Sequence, residues 1–240
     1  MDTKISSLKI KLFADGADIK NIIKMNAEQY IKGLTTNPTL MRKAGITNYK
    51  AFALEVLSEV TEKPISFEVF SDDLNQMKLQ GAEIGSWGEN VYVKIPITTT
   101  SGKSTAPVIE YLTSRDIKVN ITALMSVQQI SNIIEAINPD LPTYVSVFAG
   151  RIADTGIDPA PVISESLKIL KTYSKNCELI WASPRELLNI FQAEAVGCDI
   201  ITATHDILNK LNLVGYNLND YSLDTVKMFY KDAQDADYFL

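Results

Sequence analysis

Eight times along this chain a short run rich in valine and isoleucine gives way to a longer segment whose apolar residues recur at helical spacing. That alternation leaves few folds open, because the two periods demand strand and helix in turn. The runs predict strands over approximately Lys9–Ala14, Gly33–Thr36, Ile65–Phe70, Val91–Ile95, Lys118–Thr122, Thr143–Phe148, Glu178–Ala182 and Asp199–Ala203. Helices are predicted near Ile19–Ala27, Tyr49–Thr61, Leu74–Ile84, Ser104–Ser114, Val127–Ala136, Ala160–Lys175, Arg185–Val196 and His205–Leu211, with a further one near Leu223–Ala236. A strand always followed by a helix implies an α/β fold with a parallel sheet, and eight repeats imply a closed (β/α)8 barrel. An open doubly wound sheet is the rival, and it would normally carry a glycine-rich turn after its first strand. Here that turn is Ala14-Asp15-Gly16-Ala17-Asp18, with a single glycine. The chain has 240 residues, and a barrel needs about 250, so one domain over 1–240 with an additional C-terminal helix is the expected organisation.

Composition narrows the function. The formal net charge is −6, which argues against a general nucleic-acid binder. No apolar stretch approaches the ~20 residues of a membrane span, and the first residues carry no apolar leader core. Cys177 and Cys198 are far apart and form no CxxC, so no disulfide framework or zinc site is indicated. A reducing cytoplasm without membrane association is the expected setting. Ser101-Gly102-Lys103-Ser104-Thr105 resembles the end of a phosphate-binding P-loop, but the position five before Gly102 is Ile97 rather than glycine. A polar loop with a helix N-cap accounts for it.

Barrel enzymes keep their chemistry at the C-terminal ends of the strands. Those ends here carry Asp15, Thr35-Thr36-Asn37-Pro38, Glu68, Lys94, Asn120 with Thr122, Ser146 with Phe148, Gly150-Arg151, and Ser183. Alternate residues of a strand face opposite sides. If Val93 and Ile95 pack on the helices, Tyr92 and Lys94 point into the barrel; the same parity turns Glu68, Asn120, Thr122, Ser146 and Phe148 inward. A lysine on the inner face of an apolar strand must be paired or have a lowered pKa. A neutral amine is what imine formation requires. On the residues alone, Lys94 is read equally well as half of a buried ion pair with Glu68 or as a Schiff-base nucleophile. Lys11 and Lys118 share the inward parity but sit near the opposite end of the barrel.

Taken together, Ala14-Asp15, Leu34-Thr35-Thr36-Asn37-Pro38-Thr39-Leu40, Glu68-Val69, Val93-Lys94-Ile95-Pro96, Asn120-Ile121-Thr122, Ser146-Val147-Phe148-Ala149-Gly150-Arg151 and Ala182-Ser183 resemble the transaldolase family, which includes related fructose-6-phosphate aldolases. The segments occur in family order over most of the chain. The resemblance implies that Lys94 forms an imine with a ketose carbonyl and that Asp15 is the acid/base of C3–C4 cleavage. It implies that Glu68 works through a water held with Thr122. Asn37, Asn120 and Ser146 would bind the ketol hydroxyls, with Thr35 beside them. Arg151, Ser183 and Arg185 would hold phosphate, as guanidinium groups can do bidentately. Phosphorylated sugars are the implied partners, and no metal or cofactor is implied.

The chain departs from the family pattern in places. Pro184 follows Ser183 where an aromatic residue is usual, which leaves the direction of Arg185 open, and Gly16-Ala17 replaces a commoner threonine-containing turn. The related aldolases usually carry glutamine at the position of Glu68 and tyrosine at that of Phe148. This chain therefore looks more like an enzyme that transfers a three-carbon unit than one that releases it. An aldolase, or an inert barrel retained for binding, are the alternatives; no residue the mechanism requires is missing. His205, the one histidine, is read as a helix N-terminal or surface residue. The segment Tyr221–Leu240 carries Leu223, Val226, Phe229 and Tyr230 at helical spacing, which suits packing on its own barrel or on a second copy in a homo-oligomer.

Overall fold

The computed structural model describes residues 7–239. Eight strands run in parallel and close on themselves in chain order: β1 (Lys11–Asp15), β2 (Ile31–Thr35), β3 (Ile65–Glu68), β4 (Val91–Pro96), β5 (Val119–Leu124), β6 (Thr143–Val147), β7 (Cys177–Trp181) and β8 (Ile200–Thr204). Closure is made by β1 against β8, in register from Lys11 with Ile200 to Asp15 with Thr204. The expected barrel is therefore present, and closure removes every sheet edge.

The helices on the outside are α1 (Ile19–Ala27), α2 (Pro38–Lys43), α3 (Tyr49–Glu59), α4 (Leu74–Gly85), α5 (Ala106–Thr113), α6 (Val127–Ile133), α7 (Ala149–Ala153), α8 (Ala160–Tyr173), α9 (Leu188–Ala195), α10 (His205–Asn209) and α11 (Leu218–Asp235). Several are started by the residue types that local chemistry favours: Asp18, Asn37, Asn48 and Asp73 each accept hydrogen bonds from backbone N–H groups of the first turn, and Ser126 with Gln129 forms a capping box. α2 and α7 have no counterpart in the sequence reading; at six and five residues they are too short to show a period. α9 begins at Leu188 rather than Arg185, and the residues 104–105 expected to open a helix instead precede α5. There Thr105 turns its hydroxyl to the Pro96 carbonyl at 2.6 Å instead of capping the helix. Gly102 takes a left-handed φ of 78° within this turn, and Thr98 bridges Ser104.

Strand parity is as expected. Val91, Val93, Ile95, Phe67, Val119 and Ile121 belong to the large apolar layer between strands and helices. A smaller cluster of Phe13, Tyr92, Tyr144, Ile180, Ala182 and Ile200 fills the barrel, with Phe148 packed against it. Tyr92 and Tyr144 stack at 4.0 Å, and Phe13 meets Tyr144 edge-on at 5.7 Å. Gly33 makes room for this plug: a Cβ there would lie 2.4 Å from the Phe13 ring. The charged ends of the expected rivals sit away from the site, where Lys11 pairs with Glu178 at 2.6 Å and Lys118 lies 5.2 Å from the Tyr92 ring.

Of the two placements the sequence left open for α11, packing on its own barrel is not the one seen. It begins five residues earlier than expected and none of its residues is buried; Leu218, Leu223, Val226, Phe229 and Tyr230 stand exposed. It does not pack into its own barrel. Leu240 lies outside the described residues. Among the described residues no helix is long and apolar enough to cross a membrane.

Candidate active site

Above the aromatic plug, the C-terminal ends of the strands surround a cavity of about 440 Å³. Its lining includes Asp15, Thr35, Asn37, Glu68, Lys94, Thr122, Ser146, Phe148, Arg151, Ser183 and Arg185. Eleven of the twelve expected site residues thus meet at one place.

Lys94 rises from β4 with only 7% of its side chain exposed; its Nζ lies 3.4 Å from Glu68 Oε2 and donates to the Thr36 carbonyl at 3.2 Å. The pairing of β3 with β4 sets this contact, since Glu68 and Lys94 are partners in register. Both readings of the lysine are therefore satisfied geometrically: it is ion-paired, and it faces an open cavity. Burial pushes the Glu68 carboxyl up from its ordinary range, against the pull of Lys94, and the nearby Asp15 adds to the rise.

Asp15 is held from two sides at the end of β1. Thr35 donates to Oδ1 at 2.8 Å and Asn37 Nδ2 donates to Oδ2 at 3.3 Å. Asn37 also caps α2 through its other amide atom, so one side chain fixes both the helix and the carboxylate. Burial raises the Asp15 pKa, while Lys94, Thr35 and Asn37 oppose it. Two carboxyls held above their usual range beside one cavity suit a role in proton transfer. Thr35 is steadied by Thr202 on β8, their hydroxyl oxygens 2.6 Å apart.

Thr122 stands at a break in β5. The register with β6 shifts between Ile121 and Leu124, and Ala123 takes a left-handed φ of 64°. A non-glycine residue in that region costs ~1–3 kcal/mol and is characteristic of functional sites. Thr122 Oγ1 is buried with no partner among the described residues, so its hydroxyl is available to a small polar molecule in the cavity that Glu68 and Lys94 also line.

Asn120 is the exception among the expected residues. It faces inward as parity predicts, yet it does not line the cavity: its amide donates to Ser66 Oγ at 3.0 Å and its carbonyl accepts from Ser146 Oγ at 2.7 Å. It is completely buried and supports Ser146 from below. Parity gives the side of a strand and not the depth along it.

The opposite wall is built by the β6–α7 and β7–α9 loops. Gly150 lies so close to Ser183 that a Cβ would fall 1.6 Å from the Ser183 carbonyl oxygen, and Ser183 itself takes a φ of 57°. This contact brings Arg151 and Ser183 to one rim. Arg151 is exposed and makes no ion pair among the described residues. Arg185 also lines the rim, but it is held by both carboxylate oxygens of Asp154, at 2.9 Å from Nε to Oδ1 and through a second, shorter contact from Nη2. Pro184 therefore does not turn Arg185 away; Asp154 engages it. Asp154, Thr202, Ser66 and Tyr49 were not picked out from the sequence. Each acts through a hydrogen bond to a recognised residue, and no periodic pattern marks such a partner. Tyr49 binds both the N–H and the carbonyl of Glu68.

His205 is the first residue of α10 and is partly buried, its Nδ1 without a partner among the described residues. It lines a neighbouring hollow of about 540 Å³ with Asp15, Asp18 and Lys43, and not the cavity that holds Lys94.

Residues 12–238 match the model of the transaldolase/fructose-6-phosphate aldolase family. A protein of Methanococcus vannielii named "Probable transaldolase" is 32% identical over 215 residues, covering 90% of this chain and 94% of that one. A protein of the same name from Herpetosiphon aurantiacus is 30% identical over 227 residues, covering 95% and 97%. Among solved structures, KGPDC from Streptococcus mutans superposes with a TM-score of 0.56 at 11% identity, over 84% of this chain and 90% of that one, a likeness of fold alone. With the family's model matched from β1 to the end of α11 and relatives aligned over nearly their whole length, this chain belongs to the transaldolase/fructose-6-phosphate aldolase family.

Proposed function

We propose that the chain is a transaldolase that moves a dihydroxyacetone unit from sedoheptulose 7-phosphate to glyceraldehyde 3-phosphate, giving fructose 6-phosphate and erythrose 4-phosphate, in the non-oxidative pentose phosphate pathway of the cytoplasm. The observation that carries this reading is the buried Lys94 amine between Glu68 and the Thr36 carbonyl, open to a cavity that Asp15 also lines.

In this mechanism Lys94 passes a proton to Glu68 across their ion pair, and the freed amine attacks the ketose carbonyl at C2. Glu68, through a water held with Thr122, moves the protons as the carbinolamine loses water to become an iminium ion. Asp15 takes the proton of the C4 hydroxyl; the C3–C4 bond breaks, its electrons pass to the iminium, and the first aldehyde leaves. The remaining three-carbon enamine attacks the second aldehyde, Asp15 returns its proton to the new hydroxyl, and water hydrolyses the imine. Asn37 and Ser146 hold the ketol hydroxyls, with Asn120 behind Ser146. Arg151 and Ser183 hold phosphate, and Arg185 joins them from its Asp154 pair. The route calls on no metal or cofactor. Phe148 supports transfer over release, because its ring offers the enamine no proton.

Borohydride reduction in the presence of fructose 6-phosphate tests this reading. Mass spectrometry is expected to find the adduct on Lys94, and Lys94→Ala is expected to lose both adduct and turnover with its fold intact. No adduct on the wild-type chain, or an adduct on Lys11 or Lys118, would overturn it.

A further inference from the structure

The ladder between β2 and β3 stops where the site begins. Its last rungs run from Leu34 N to the Pro64 carbonyl at 2.8 Å and from Thr36 N to the Ser66 carbonyl at 3.2 Å. In a parallel pair the next two would join Glu68 N to the Thr36 carbonyl and the N–H of residue 38 to the Glu68 carbonyl. Neither forms. The Thr36 carbonyl accepts from Lys94 Nζ, and residue 38 is Pro38, which has no N–H. Both Glu68 main-chain groups are instead taken by one phenol: Glu68 N donates to the Tyr49 hydroxyl at 2.7 Å, and that hydroxyl donates to the Glu68 carbonyl at 2.8 Å.

We propose that Tyr49 is a positioning residue for the Glu68–Lys94 pair: its hydroxyl stands in for the two missing rungs, fixes the Glu68 main chain, and leaves the Thr36 carbonyl to the Lys94 amine. The inference rests on the reading of Lys94 and Glu68 given above and adds a residue that does not line their cavity. Tyr49 comes from the first turn of α3 and is wedged among Phe67, Phe70 and Trp87, with ring centroids 6.5, 5.5 and 6.0 Å away. The hydroxyl therefore has one place to go. Burial keeps its proton on well beyond the usual phenol range, so it remains a donor throughout the working pH. Without it, Glu68 N competes with Lys94 for the Thr36 carbonyl, and the Glu68 carbonyl is left unpaired.

A double-mutant cycle separates this role from general support of the fold. The rate of trapping the borohydride adduct would be followed in wild type, Tyr49→Phe, Glu68→Gln and the double variant, with Tm and KM measured alongside. Tyr49→Phe is expected to slow imine formation about tenfold with KM changed far less; in the Glu68→Gln background the same change is expected to slow it less than about threefold. Replacing Tyr49 by 4-methylphenylalanine, which fills the hydroxyl's space without its hydrogen bonds, should slow the wild-type background equally, and it serves if the smaller ring unfolds the chain. Unchanged imine formation, or equal slowing in both backgrounds, overturns the proposal. A wild-type chain that forms no adduct overturns the reading of Lys94 and this inference with it; a wild-type adduct with an unslowed Tyr49 variant overturns this inference alone.

Discussion

At the scale of single residues, the site is a set of buried polar groups that the barrel satisfies almost completely. Lys94, Glu68 and Asp15 share a low-dielectric space in which each charge is balanced by a partner or a hydrogen bond. Phe148 is the apolar member of this set. It lies just past the end of β6, packs on the inner aromatic cluster and lines the cavity beside Lys94. A tyrosine there would keep the ring and add a hydroxyl that could protonate the three-carbon enamine or hold a donating water. Phe148→Tyr is therefore expected to raise acceptor-independent cleavage of fructose 6-phosphate relative to transfer, with the Lys94 adduct little changed. Release measured without an aldehyde acceptor checks it; a folded variant that forms the imine and releases no faster would show that Phe148 does not set the partition.

At the scale of elements, the phosphate-facing rim depends on one close approach between two loops. Gly150 opens the first turn of α7, and its missing Cβ is what lets the Ser183 carbonyl come in. Gly150→Ala must push α7 away from Ser183 and carry Arg151 with it. An ion pair to phosphate contributes ~1.5–3 kcal/mol, so KM for fructose 6-phosphate is expected to rise at least about tenfold, while KM for unphosphorylated fructose changes little. Equal rises for both sugars would mean that the rim supports the barrel and does not read phosphate. Such features explain what the sequence carried and what it did not. Period two along β4 is enough to turn Lys94 inward, and the strand-end rule is enough to collect Asp15, Glu68 and Thr122. The bulge at Ala123, the short helices α2 and α7 and the partner of Arg185 depend on contacts between residues distant in the chain. Arg185 and Asp154 are 31 positions apart, and Tyr49 and Glu68 belong to elements whose own patterns give no sign of each other.

At the scale of the whole molecule, the barrel divides its interior between two ends. Phe13, Tyr92 and Tyr144 form a plug across the middle; the hydrogen-bonded site lies above it, and below it Lys11 and Lys118 meet Glu178 and the Glu89 carbonyl. Barrels commonly keep chemistry at one end and stability at the other; here the plug sets the lower lysines apart from the site, and their charge is met by local partners and by solvent. The lower lysines are therefore expected to matter for stability alone. The Lys11 side chain is 48% exposed in its pair with Glu178, and a pair that open to water contributes at most about 1 kcal/mol, or a Tm change of roughly 2–4 °C in a domain of this size. Lys11→Met and Lys118→Met should each lower Tm by no more than a few degrees while leaving kcat within about twofold and the borohydride adduct on Lys94. Thermal unfolding followed beside turnover checks both halves of the expectation. A large fall in kcat without a fall in Tm would mean that charge below the plug reaches Lys94, and that the two ends of this barrel are electrically one site.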